Sequence, residues 1–144
     1  MSRHDPLRNC QYRLEIDGLS VAGFSDVVIG ATTTEAIDYR EGSDPSHVRK
    51  LAGLTKYGNV TLKRGVTDSL ELFNWYKQVA SGQAASARKT VVIVVLNEAR
   101  ADAARFVVTD AWPVKYEVGV LAARGNEVFI ELLELANEGI ERVQ

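Results

Sequence analysis

The sequence predicts a mainly β (α+β) fold, a two-sheet β-sandwich or barrel with one packed α-helix, and three observations carry that prediction. Seven or eight segments either alternate apolar and polar residues or are apolar on both faces, as strands do. A single segment, 68–81, sets its apolar residues at helical spacing. The 144 residues suit one domain, and a chain of that length buries about 68–70% of its unfolded surface, enough for a core without disulfide or metal.

Residues 1–8 are polar, contain Pro6 and read as a flexible arm. From Cys10 the pattern alternates, with Tyr12, Leu14 and Ile16 on one face and Arg13, Glu15 and Asp17 on the other, a half-buried strand. Asp17-Gly18 is a tight-turn dipeptide and 19–21 begin the return strand. Gly23-Phe24 interrupts the alternation as a bulge or bend, and 27–29 resume it. Residues 32–41 form a long strand rich in Thr, Ile and Tyr, with Glu35, Ile37, Tyr39 and Glu41 on one face. The opposite face, Thr32, Thr34, Asp38 and Arg40, is too polar for a core and must meet water, a lumen or another subunit.

A polar loop, 42–56, follows with Pro45, Gly53, His47, Arg49, Lys50 and Lys56. A loop so long in a small domain is usually functional or disordered, and its definite order of Gly, Pro, Lys and aromatic residues favours function. Residues 57–64 are a strand that turns Val60 and Leu62 inward. The helix 68–81 opens on Asp68, with Glu71 three residues later completing a capping box, and Gly82 ends it. Its apolar stripe is Leu72, Trp75, Tyr76 and Val79. Burial of these side chains at ~1.5–3 kcal/mol each clamps a helix too short to persist on propensity alone.

Residues 83–88 are a small-residue loop, and 90–96, TVVIVVL, form a central strand covered on both sides. A turn at 97–102 leads to strands at 105–109 and 112–118. The second sets Trp112, Val114, Tyr116 and Val118 against Lys115 and Glu117, with Pro113 marking an edge or bulge. A turn at 121–126 precedes the last strand, 127–135, apolar on both faces, and a short polar tail.

Chemistry finds little to work with. A net charge of −2 argues against a generic basic nucleic-acid binder, yet suits a conduit through which DNA passes without being held. One cysteine, Cys10, permits no intrachain disulfide and reads as a partly buried thiol. The N-terminal residues have no apolar run of a signal peptide, and no stretch approaches the ~20 apolar residues of a membrane span, so folding in a reducing cytoplasm is expected. His4 and His47 lack partners at metal-ligand spacing. Neither a nucleophile elbow nor a phosphate-binding loop is present. Glu131, Glu134 and Glu138 read as solvated or salt-bridged. Arg49, Lys50, Lys56, Lys63 and Arg64 read as a solvated or subunit-facing surface, offset by Glu41, Asp44 and Asp68. No catalytic residue, metal site or cofactor is expected, and the chain does not read as an enzyme.

Three segments, in order, cover nearly the whole chain: DPLRNCQYRLEIDGLSVAGFSDV, IDYREGSDPSHVRKLAGLTKYGNVTLKRGVTDSLELFNWY and AWPVKYEVGVLAARGNEVFIELLELANEGIE. Together they resemble the tail tube proteins of contractile phages and the inner tube proteins of related contractile injection systems. The chain departs from the usual pattern at Ala52 and Gly58, where Pro is common, and at Phe129, usually a small residue. The resemblance implies the fold shared with haemolysin-coregulated proteins of type VI secretion, six copies closing into a ring around a lumen and rings stacking into a tube inside a contractile sheath. It implies a virion tail or injection-system location after assembly in the bacterial cytoplasm. The implied partners are further copies of the chain, a sheath protein, baseplate or initiator and terminator proteins, and DNA or protein cargo in the lumen, without a membrane anchor.

On that reading the loop 42–56 meets the next ring through Asp44, His47, Arg49, Lys50 and Lys56, while Thr32, Thr34, Asp38, Arg40, Lys115 and Glu117 are candidates for lumen or subunit interface. Cyclic closure would also remove the exposed sheet edges. The rival expectations are a small soluble β-barrel that binds a ligand or serves as an accessory domain, and a tube-terminating paralogue.

Overall fold

Alternation along the chain places Leu14, Val60, Leu62, Val91, Ile93, Val108, Leu133 and Leu135 on inward faces, and in a computed structural model all are fully buried in one core. The structure describes residues 6–8, 11–21, 23–43 and 46–144. Among them the strands are β1 (Tyr12–Ile16), β2 (Leu19–Val21), β3 (Phe24–Val28), β4 (Thr32–Tyr39), β5 (Arg49–Tyr57) and β6 (Val60–Gly65). The helix α1 (Glu71–Ala80) follows, then β7 (Lys89–Leu96), β8 (Asp102–Val118), β9 (Ile130–Ala136) and β10 (Gly139–Arg142).

Eight strands form one antiparallel sheet in the order β2-β1-β7-β8-β9-β6-β3, with β10 also on β8. The 17-residue β8 carries the sheet around a corner. Up to Ala111 it pairs with β7 and β10, and from Trp112 it pairs with β9. Asp110 sits at the corner with φ 51°, a left-handed backbone that bends the strand. The two segments expected at 105–109 and 112–118 are therefore one strand. A second register shift falls between Pro113 and Lys115. It changes the phase of the alternation, so Pro113 is buried while Val114 is exposed.

Among the described residues the sheet stays open, without closing into a barrel, and ends at β2 and β3. Across the gap, Tyr12 OH donates to the Phe24 carbonyl at 2.9 Å. The β1–β2 turn follows its sequence closely: Asp17 and Gly18 both have positive φ (52° and 81°), as a two-residue turn matched to strand twist requires.

Leu72 and Trp75 of α1 are buried against the sheet, Tyr76 and Val79 pack at the margin of the core, and Trp75 Nε1 donates to the Ala87 carbonyl at 2.6 Å. The helix starts later than 68, and Asp68 is not its cap. Leu70 occupies the cap position without a side-chain bond, and Ser69 Oγ accepts from the Glu71 N–H at 3.4 Å. The reason lies beneath the helix, where Arg64 engages Ser69 Oγ (3.4 Å) and the Glu71 carboxylate (3.6 Å) and organises the first turn around a guanidinium.

Three further expectations change. Most of the segment 42–56 is strand, since Arg49–Tyr57 pairs with β4. The polar tail contains β10, paired with β8. The last long strand begins at Ile130 rather than at 127, and just before it the Phe129 carbonyl accepts from the Val66 N–H at 2.7 Å. The expected roles of His4, Cys10 and Asp44 fall outside the described residues.

Candidate assembly surface

Among the described residues β4 and β5 pair only with each other, and they form a two-stranded arm outside the main sheet. All eight residues of β4 are exposed, and of β5 only Gly53 and Tyr57 are partly covered. Register assigns the two faces. Thr32, Thr34, Ala36 and Asp38 lie opposite Tyr57, Thr55, Ala52 and Lys50, a face of small and polar side chains. Asp38 and Lys50 form an ion pair on it, and Thr34 and Thr55 share a hydrogen bond of 2.9 Å. The reverse face carries Thr33, Glu35, Ile37 and Tyr39 beside Arg49, Leu51 and Lys56. Ile37 and Leu51, direct partners there, are 44% and 49% exposed.

Between Thr34 and Ala36 the register shifts, so Glu35 faces both Gly53 and Leu54. A Cβ at Gly53 would stand 2.9 Å from Ile37 Cδ1, so the glycine lets the isoleucine lie across the ribbon. Leu54, at the bulge, is 71% exposed.

The predicted site residues are thus dispersed. Thr32, Thr34 and Asp38 share the small polar face with Lys50, and Arg40 lies just past the end of β4. Arg49 and Lys56 share the opposite face but stand roughly 23 Å apart along the strand. His47 is exposed in the bend before β5. Lys115 and Glu117 lie on β8, exposed and paired with each other at 3.6 Å.

One charged cluster departs from the expected solvated surface. Arg64 and Glu131 are only 5% and 3% exposed, and Arg64 Nε donates to Glu131 Oε1 at 2.9 Å. Tyr116 OH donates to Glu131 Oε2 at 2.7 Å. Burial first, then that hydrogen bond and the carboxylate charge, push the Tyr116 hydroxyl up to about 12, with Arg64 opposing. The signal was available: Arg64 continues the inward set Val60 and Leu62, and Glu131 the inward set Leu133 and Leu135.

Among the described residues no group of three His, Cys, Asp or Glu side chains stands close enough to hold a metal, and no helix is long and apolar enough to cross a membrane. A two-stranded ribbon is marginal by itself, and this one offers both faces to whatever binds it. The fold and this surface suit a structural protein. The sequence profile of the T4-like virus tail tube protein gp19 matches residues 8–141, and the chain belongs to that family. The family expected from the three sequence segments is therefore the one found.

Solved structures agree in fold. A chain in the anti-feeding prophage tube-terminating cap superimposes with a TM-score of 0.86 at 19% identity, over 99% of this chain and 93% of that one. A chain in the sheath–tube complex of an extracellular contractile injection system (PVC, extended state) gives 0.82 at 21% identity, over 95% and 90%. Hcp1 from Flavobacterium johnsoniae gives 0.56 at 16% identity, over 92% and 94%. No curated protein sequence matches the chain.

Proposed function

We propose that the chain is a ring-forming subunit of the inner tube of a contractile tail or injection system, and that the β4–β5 arm is its main contact with neighbouring copies. Family membership carries the structural role. The observation that supports the contact is the arm itself: apolar Ile37, Leu51 and Leu54 on a ribbon that touches little of its own body. Six copies close into a ring, rings stack, and the open edges β2 and β3 are covered in the process. Sheath contraction supplies the work, so the subunit contributes stiffness rather than turnover. DNA or protein cargo passes through the lumen without sequence-specific binding.

His47, Arg49, Lys50 and Lys56 make polar contacts across rings, together with Asp44. The small polar face, Thr32, Thr34 and Asp38, with Arg40, Lys115 and Glu117, faces the lumen or the adjacent subunit. Sheath, baseplate and terminator proteins are the further partners, and the assembled particle is the location. Negative-stain microscopy and sedimentation velocity of the purified protein across a concentration series test this. Rings or tubes that lengthen with concentration are expected, and Arg49→Glu with Lys50→Glu is expected to shorten or abolish them. A monodisperse monomer at all concentrations would overturn the proposal.

A further inference from the structure

We propose that a latch at the base of the arm, built from the Gly30–Gly58 backbone crossing and the Asn137 side chain, sets the direction in which the arm leaves the body. Along β4 the residues are exposed throughout and, among the described residues, the strand pairs with β5 alone. At the base the arm meets the body. There the chain leaves β3 through Gly30 and Ala31 and returns to β6 through Gly58 and Asn59.

The two backbones cross in contact. A Cβ at Gly30 would lie 2.5 Å from the Asn59 oxygen and from the Gly58 carbonyl carbon, and a Cβ at Gly58 would lie 2.8 Å from the Ala31 nitrogen. Neither glycine needs a left-handed backbone, so the requirement is space alone. The Gly58 N–H donates to the Ala31 carbonyl at 2.7 Å and closes the neck.

Asn137, in the β9–β10 turn, completes the latch. Its Nδ2 donates to the Gly58 carbonyl at 2.9 Å, and its Oδ1 accepts from the Gly139 N–H at 3.1 Å. One side chain therefore ties the neck to the turn of another part of the sheet. The adjacent Asn59 Nδ2 donates to Glu134 Oε1 on β9 at 3.2 Å, a second tie in the same direction. Small angles matter here. A ribbon of nine residues reaches about 30 Å, so a swing of about 10° at its base moves the tip by about 5 Å, more than a packed contact tolerates. Asn137 is a positioning residue that acts through Gly58.

The test isolates the latch from the fold. Asn137→Asp keeps an acceptor for the Gly139 N–H, removes the donor and sets a carboxylate against the Gly58 carbonyl. In a Cys10→Ser background, spin labels on Ser43→Cys near the arm tip and Gln83→Cys on the body report the arm direction by pulsed dipolar spectroscopy. The dilute, unassembled subunit is expected to give one narrow distance distribution, broadened at least twofold by Asn137→Asp, with the unfolding midpoint within about 4 °C of the parent. Should Asn137→Asp not fold, Asn137→Ser withdraws the donor more gently and is read the same way. A distribution as narrow as the parent's, or one already broad in the parent, would overturn the latch. Its importance for assembly rests on the tube reading, and there a tenfold loss of tube yield is expected. The distance measurement uses unassembled protein, so failure of the parent to form tubes would overturn the tube reading and leave the latch standing.

Discussion

Arg64 and Glu131 are register partners on β6 and β9, and they meet as a buried ion pair, Nε to Oε1 at 2.9 Å. The guanidinium also reaches Ser69, Glu71 and the ring of Phe24, whose centroid is 5.7 Å away. A single side chain thus joins β3, β6, β9 and the start of α1. Because the charges lie inside the protein, the consequences of breaking the pair are asymmetric.

Glu131→Ala takes the nearest counter-charge from a buried guanidinium, leaving it the exposed Glu71 carboxylate at 3.6 Å, and is expected to cost up to about 3–5 kcal/mol. Arg64→Met combined with Glu131→Leu removes both charges and is expected to cost far less, since apolar side chains of similar volume replace the pair without a desolvation penalty. Urea unfolding of the three proteins measures this; equal losses for the single and double variants would show that the charges themselves matter little.

Tyr116→Phe removes a hydrogen bond to the same carboxylate and is expected to cost about 1.5–3 kcal/mol. It should also alter the alkaline response. The folded hydroxyl holds its proton to about 12, above its ordinary value of 10.0. The unfolded chain therefore releases the proton first. The contribution is complete below pH about 10 and is lost as pH rises toward about 12. Urea midpoints over that range should fall more steeply for the parent than for Tyr116→Phe.

Asp102 on β8 accepts two hydrogen bonds from Arg13 on β1, at 3.1 and 3.0 Å, bridging strands that flank β7. The hydrogen bond from Arg13, followed by the Arg13 and Arg105 charges, holds the Asp102 carboxyl below its ordinary range. Its stabilisation is present above the unfolded carboxyl value and is lost as pH falls through the lowered folded one. Asp102→Asn should therefore flatten the acid limb of the thermal midpoint, a small effect because the pair is exposed.

On the arm, Asp38 and Lys50 are register partners and ion-paired. Lys50→Asp places two carboxylates opposite each other and is expected to reduce tube yield with little change in the unfolding midpoint. Asp38→Lys with Lys50→Asp restores the pair in reverse. Recovery of yield, scored by electron microscopy, would assign the effect to arm geometry; a swap as defective as the single variant would assign it to a contact with another copy.

Much of this molecule was legible as alternation. Tyr12, Leu14 and Ile16, or Leu133 and Leu135, declare their faces because a strand has period two. The arm's second strand was not legible in that way. Residues 49–57, RKLAGLTKY, carry no inward apolar set, since both faces of an isolated ribbon are exposed. Asp68 misled for a different reason: local capping rules do not include a guanidinium arriving from β6. That Arg64 and Glu131 each face inward was readable from phase, though not that they meet, and charged residues on an inward face are easily assigned to the surface.

The sequence by itself determined the class of fold, the helix and its stripe, the β1–β2 turn and the family, because these rest on local periodicity, dihedral preference and ordered motifs. Only the tertiary structure decided that β8 turns a corner at Asp110, that Arg64 is buried with Glu131, and that Asn137 reaches the neck of the arm. Each of those depends on residues distant in the chain meeting at hydrogen-bond distance, and no local pattern encodes such a meeting.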